Sequence, residues 1–249
     1  MMSDASVVLV GGAETCAVPG VRGLQEYLDA VEEHCLYTRP ARVAGVLRFT
    51  HLRVQHARTL RELESFVFVA GLSAAERQLR ARRQRRGRER ELYSENLVFE
   101  FDMLPVEALA CRRRIFDWPH WLLKFLYTPS GLLFGKFWVG EKDVSRVGAP
   151  LPVPPVDILT IRSAIPGRDK RFFSRAPWLL PSLYTQENDL HLPSWISEAI
   201  GEIRKAKIPT GEQITALARK VDMGAALEWA NEQQRGGTKS SGTRDSSGN

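Results

Sequence analysis

Residues 96–103 read NLVFEFDM. Leu97, Phe99, Phe101 and Met103 fall on one side of an extended chain, and Val98, Glu100 and Asp102 on the other, because strand side chains alternate between faces. One apolar and one mostly polar face predict a strand half-buried in a sheet. It is the cleanest strand pattern in the chain, and the fold reading is built outward from it.

Upstream, residues 59–69 place Leu60, Leu63, Phe66 and Val67 at helical spacing, with Thr59 and Glu62 as a capping box. Ser73 and Glu76 form a second such box, which predicts a helix running into an arginine-rich segment. Residues 45–54 (GVLRFTHLRV) are rich in β-branched and aromatic residues and predict a strand. Residues 24–35 carry Leu24, Tyr27, Leu28 and Val31 on one helical face, and Thr38-Arg39-Pro40 reads as a connection. Residues 1–21 read as a flexible lead in which VVLV could add a short edge strand.

Downstream, residues 105–114 predict a short helix. A second helix is expected over 118–127, with Asp117 as N-cap and Pro119 in its first turn. Pro129-Ser130-Gly131 marks a turn. Residues 132–139 (LLFGKFWV) read as a buried strand in which Gly135 lets another backbone come close. Four prolines in 148–155 make that segment extended and stiff, and 157–162 (DILTIR) is a short strand. Part of 172–184 reads as helix. Helices follow over 194–207, from Thr210 to about Lys220, and over 222–233, and the tail 234–249 is too polar and Gly/Ser-rich to build a core. The expected architecture is α+β: a small mixed or antiparallel sheet covered by helices within 22–186, a helical C-terminal extension over 187–233, and a disordered tail.

The formal charge of +6 is local. Segment 77–90 (RQLRARRQRRGRER) carries eight arginines and one glutamate, a net +7, which leaves −1 for the other 235 residues. Three cysteines at wide spacing, with no Cys-x-x-Cys pair, exclude a zinc ribbon and a disulfide framework and favour a reducing compartment. No basic n-region, long apolar leader or apolar run of membrane-spanning length occurs, so a cytoplasmic protein without a membrane partner is expected. Neither the composition nor the patterning specifies an oligomeric state.

The order of motifs in the middle of the chain is distinctive. Gly131-Leu132-Leu133-Phe134-Gly135-Lys136-Phe137 is followed by Pro150-Leu151-Pro152-Val153-Pro154, then Ile158-Leu159-Thr160-Ile161-Arg162, then Asp169 and Phe172-Phe173. This order resembles an uncharacterised bacterial family, numbered 6875 among domains of unknown function, across roughly residues 22–186. Family members carry a Gly-x-Val-Cys-Pro-Phe element upstream and a His after the Ile-Arg pair. Here Gly45-Val46 is followed by Leu47-Arg48-Phe49, and Ser163 stands in the His place, while the arginine segment reads as an insertion. The resemblance implies a divergent or chemically inactive member, and it brings no reaction or cofactor with it.

Several residues are candidates for a small-molecule pocket: Phe49, His51, His120, Lys136, Arg162 and Asp169. Arg162 ends a strand beside the Pro-rich segment, and its planar fork could hold a carboxylate or phosphate bidentately. It could equally form a buried ion pair with Asp169 or Asp157. Lys136 is an odd charge on an apolar strand, facing either solvent or a pocket. His120, between Pro119 and Trp121, is an acid/base candidate whose plainer reading is a satisfied imidazole. His51 and His56, five apart, suit neither helical nor strand ligation, so no metal site is expected. Glu100 and Asp102 share a face and read as solvent-exposed. Cys111, beside three arginines, lacks a His partner in sequence and reads as an inert thiol. No Gly-rich phosphate loop or nucleophile elbow occurs, which leaves open whether any reaction is catalysed. The alternative function is an adaptor that binds nucleic acid or an acidic partner through Arg80, Arg82, Arg83, Arg85 and Arg86. Against it stand the lack of interleaved aromatics and the plainer reading of a solvated helix end.

Overall fold

The computed structural model describes residues 7–10, 21–54, 57–144, 148–165, 168–169, 192–206 and 209–240. The expected helix over 172–184 and His56 lie outside the described residues. The fold is α+β. Five strands, β1 (Val7–Val10), β2 (Leu47–Val54), β3 (Ser94–Phe101), β4 (Leu132–Phe137) and β5 (Asp157–Ser163), form one mixed sheet in the order β1-β2-β3-β5-β4. Only β2 and β3 run parallel; the other three pairings are antiparallel. VVLV supplies the edge strand β1.

A parallel pair needs a long crossover, and α3 (Leu60–Gln84) supplies it. The Thr59–Glu62 capping box is formed: Glu62 N donates to Thr59 Oγ1 (3.2 Å), and Thr59 N donates to the Glu62 carboxylate (3.2 Å). The second box caps nothing. Ser73 and Glu76 lie buried in the interior of one unbroken 25-residue helix. Gly71 permits this, because a Cβ there would lie 2.3 Å from Leu123 Cδ1.

Phe66-Val67-Phe68-Val69-Ala70 is apolar all round α3, and every one of the five is buried. Such a helix must be covered on every side. The sheet covers one side through Leu97, Phe99, Leu159 and Ile161, and α6 (Arg114–Tyr127) another through Leu122 and Leu123. The C-terminal helices α7 (Ser194–Ala206), α8 (Gly211–Ala218) and α9 (Met223–Ser240) complete the cover with Ile196, Ile203, Ile214, Met223 and Ala226. Residues expected to form an extension therefore belong to the main core. Phe68 meets Trp195 edge-on, with ring centroids 6.3 Å apart. Helix α9 runs to Ser240, past the expected end at 233, because each further residue of a packed helix adds a hydrogen bond without a new nucleation cost.

Local details correct two readings. Thr38-Arg39-Pro40 opens helix α2 (Thr38–Val43), where proline in the first turn breaks no intrahelical bond. Helix α6 starts at Arg114, so Asp117 is not its cap and Pro119 lies inside it. Asp117 binds Lys136 and Arg113 instead. The remaining short helices are α1 (Leu24–Glu32), α4 (Gly87–Leu92) and α5 (Val106–Ala110). Among the described residues no helix is long and apolar enough to cross a membrane.

Candidate functional site: a cavity on the second face of the sheet

The helices α3 and α6–α9 gather on one sheet face. Among the described residues the other face carries α1, α2 and the end of α4, and α1 is nine residues long. Leu24 and Leu28 of α1 pack on Phe49, Val98 and Ile158, closing one end of this face. The rest is a cavity of about 450 Å³, roofed by Tyr27 and Val31 of α1, by Tyr37 just before α2 and by Ala41 of α2.

Strand register determines its floor. Phe49 pairs with Asn96, Asn96 with Thr160, and Thr160 with Gly135, so these four cross the sheet in one row. Leu47, Ser94, Arg162 and Leu133 form the next row. All eight line the cavity. The polar groups in the floor are organised. Thr160 Oγ1 donates to Asn96 Oδ1 (2.8 Å), and Asn96 Nδ2 donates to Arg48 O (3.1 Å). The amide keeps its second N–H and second lone pair, and the hydroxyl oxygen its acceptor sites. Gly135 has a different role from the one expected. A Cβ there would meet the Phe137 ring at 3.2 Å, so the glycine makes room for an aromatic side chain rather than another backbone.

Arg162 occupies the inner wall with its fork already filled. Nη1 and Nη2 each donate to Asp169 at 2.8 Å, and Nη1 also donates to Ser163 O (3.0 Å). The guanidinium carbon lies 3.7 Å from the Tyr37 ring centroid, and Tyr37 Oη donates to Asp169 Oδ1 (2.8 Å). Burial acts against both charges, but their mutual hydrogen bonds prevail: the Asp169 pKa is lowered and the Arg162 pKa raised. The ion-pair alternative for Arg162 is thus the one formed, and its partner is Asp169. Asp157 is fully buried and takes Arg112.

The other expected pocket residues separate. Phe49, Lys136 and Arg162 line the cavity, and Asp169 is held behind Arg162. Lys136 is paired with Asp117. His51 lies one row further along, 8% exposed and outside the lining, with Nε2 2.9 Å from Glu100 but off hydrogen-bond geometry. Glu100 is half-exposed and also serves Arg53. His120 belongs to α6, on the far side of the sheet. Its Nε2–H donates to Phe134 O (3.0 Å), and burial with Lys124 nearby lowers its pKa to about 4. It is a satisfied neutral imidazole that does not reach the cavity.

Sequence reading missed Asn96, Thr160 and Tyr37. The signal for the first two was present: Thr160 shares parity with Arg162 on β5, and Asn96 shares it with Val98 on β3. What placed them side by side was the register between strands, which neither segment carries alone.

The arginine segment is partly structural. Arg77 pairs with buried Glu95 (2.9 Å), Arg82 donates to Ser130 O (2.7 Å), Arg80 reaches Arg204 O (3.5 Å), and Arg85 lies 4.2 Å from the Tyr93 ring centroid. Of the five arginines expected to face a partner, only Arg83 and Arg86 are exposed, joined by Arg88 and Arg90. The segment ends the core helix α3 and forms α4. Cys111 is exposed, and Cys35 borders the cavity. Among the described residues no cluster of His, Cys, Asp and Glu could hold a metal ion. Comparison with known proteins finds no matching family model, no matching curated protein and no matching solved structure.

Proposed function

We propose that the chain binds a small molecule in the cavity between α1–α2 and the sheet. The observation that carries this reading is the cavity itself. Its volume of about 450 Å³ falls in the range of ligand sites, and its wall is mainly apolar with a few fixed polar groups. Leu28, Phe49, Ile158 and Phe137 would enclose the apolar body of the ligand, while Asn96 and Thr160 offer hydrogen bonds from a rigid floor. Arg162 serves as wall rather than anion receptor, because Asp169 occupies its fork. The reading is of binding first, in a divergent or chemically inactive relative of the family that the motif order resembles. Leu47, which stands where that family has cysteine, lines the cavity, whereas Ser163, in the His place, is buried and hydrogen-bonded from Gln78 on the α3 side.

Native mass spectrometry with an absorption spectrum of freshly purified protein tests the proposal. A retained small molecule is expected, and it should be lost in Leu133→Trp, which fills the cavity from the edge strand. Unaltered circular dichroism would show that the variant remains folded. If the purified protein carries nothing and a fragment screen finds no binder that Leu133→Trp excludes, the reading fails.

An adaptor function through the arginine segment is the second reading. The four exposed arginines Arg83, Arg86, Arg88 and Arg90 support it. Arg80, Arg82 and Arg85 do not, because the fold already uses them.

A further inference from the structure

The charges around the cavity are unequal once ion pairs are taken into account. Its lining contains two permanent cations, Lys136 and Arg162, and three carboxylates, Glu91, Glu141 and Asp143. Both cations are neutralised by carboxylates outside the lining, Asp117 and Asp169. Among the described residues no ion pair engages Glu91, Glu141 or Asp143. Glu141 and Asp143 follow β4 directly, at the end of the cavity where Tyr27 comes down from α1. Tyr27 responds to Glu141: burial, then the neighbouring negative charge, push its phenol pKa up. The Glu141 pKa is itself raised, by burial and by Asp143, against a backbone hydrogen bond at Trp138 and the charges of Lys136 and Arg113. The same end presents the aromatic rings of Tyr27 and Phe137, whose faces favour a cation.

Building on the cavity reading, we infer that the preferred ligand is an organic cation, an amine with an apolar body, whose ammonium sits between Tyr27 and the Glu141–Asp143 end while its body lies over Phe49 and Ile158. The geometry disfavours an organic anion twice over. Such a ligand would have to displace Asp169 from Arg162, and it would face the carboxylates of Glu141 and Asp143 at the mouth.

Three probes of one shape test this by isothermal titration calorimetry at neutral pH: 3-phenylpropylamine, 3-phenylpropan-1-ol and 3-phenylpropanoate. The amine should bind at least about tenfold more tightly than the alcohol, because it alone brings a positive charge to Glu141 and Asp143, and the acid should bind weakest. In the E141Q/D143N variant the amine should fall to the affinity of the alcohol, while the alcohol is unchanged and so reports an intact cavity. Equal binding of amine and alcohol to the native chain, or tightest binding of the acid, would overturn the inference and leave the cavity reading standing. Failure of all three probes to bind would count against both.

Discussion

Gly71 is where helix–helix packing in this fold is tightest, so Gly71→Ala is the most demanding test of the core. In an exposed helix the change would stabilise by about 1 kcal/mol, because alanine is the better helix former. Here the added Cβ would sit 2.3 Å from Leu123 Cδ1 and 3.2 Å from both Leu123 Cδ2 and Leu159 Cδ2. A flexible side chain can often swing away, but Leu123 and Leu159 are both 0% exposed, so a swing must displace neighbouring core side chains. Overpacking a dense core costs about 1–3 kcal/mol, and a 2.3 Å approach belongs to the upper half of that range, so a net loss of about 1–2 kcal/mol is expected after the helical gain. The double-mutant cycle sharpens the test. Leu123→Ala alone should cost about 2–5 kcal/mol through the space it leaves. Adding Gly71→Ala to that variant should restore about 1 kcal/mol, since the methyl now enters a void and the propensity gain is kept. Urea denaturation followed by circular dichroism measures each step as a change in midpoint at constant m. If Gly71→Ala is neutral or stabilising in the native background, or has the same effect with and without Leu123, the argument that the glycine sets the α3–α6 distance is wrong.

Other consequences can be checked in the same way. Asp169→Asn should cost about 1–3 kcal/mol, less than a fully buried broken pair because the Arg162 side chain keeps 22% exposure. The folded-state pKa of Asp169 is depressed, so its contribution is present above about pH 4 and disappears as pH falls through the folded value. The variant should therefore lose less stability than the native chain on acidification below pH 4. His120, held neutral with its pKa near 4 against an ordinary 6.5, favours the fold fully above about pH 6.5 and progressively less down to about pH 4. His120→Gln should flatten the stability profile in that window, and an unchanged profile would mean the imidazole is solvated. Thr59→Ala should cost about 1 kcal/mol by removing the α3 cap, measurable by thermal melting. If the arginine segment does bind nucleic acid, four exposed arginines limit the slope of log affinity against log salt to about −3.6, and a steeper slope would require the arginines now engaged by the fold.

The class of the fold was legible because the decisive strand patterns are local. The strand read from 96–103 forms two residues early, as Ser94–Phe101, and the Thr59–Glu62 box forms as expected. What stayed hidden depends on non-local pairing. The parallel β2–β3 junction follows from the length of α3, and two helix signals separated by Gly71 read as two helices until the packing of Leu123 explains the glycine. The polar face of 96–103 was expected to meet water. Instead Asn96 becomes cavity floor and Val98 is buried under α1, because this face of the sheet has its own cover. For the site, the chemistry of Arg162 was recognisable but its occupancy was not: the choice between Asp169 and Asp157 depends on which carboxylate the chain brings to that end of β5. His120 failed as a pocket residue for a comparable reason, since a helix that starts one turn early places the imidazole against a carbonyl on the opposite side of the sheet.

The reliance of α3 on α7–α9 also bears on how the chain is made. Helix α3 ends at Gln84, and the first of its late covers begins at Ser194, so about 110 residues must be added before that apolar surface can be closed. At ribosomal speeds this takes on the order of 5–20 s, far longer than a helix or hairpin needs to form. Throughout that interval the nascent chain presents Phe68 and its neighbours without Trp195 and the other late partners. A premature stop between β5 and α7 would release a chain that can form its sheet yet leaves one side of its central helix uncovered.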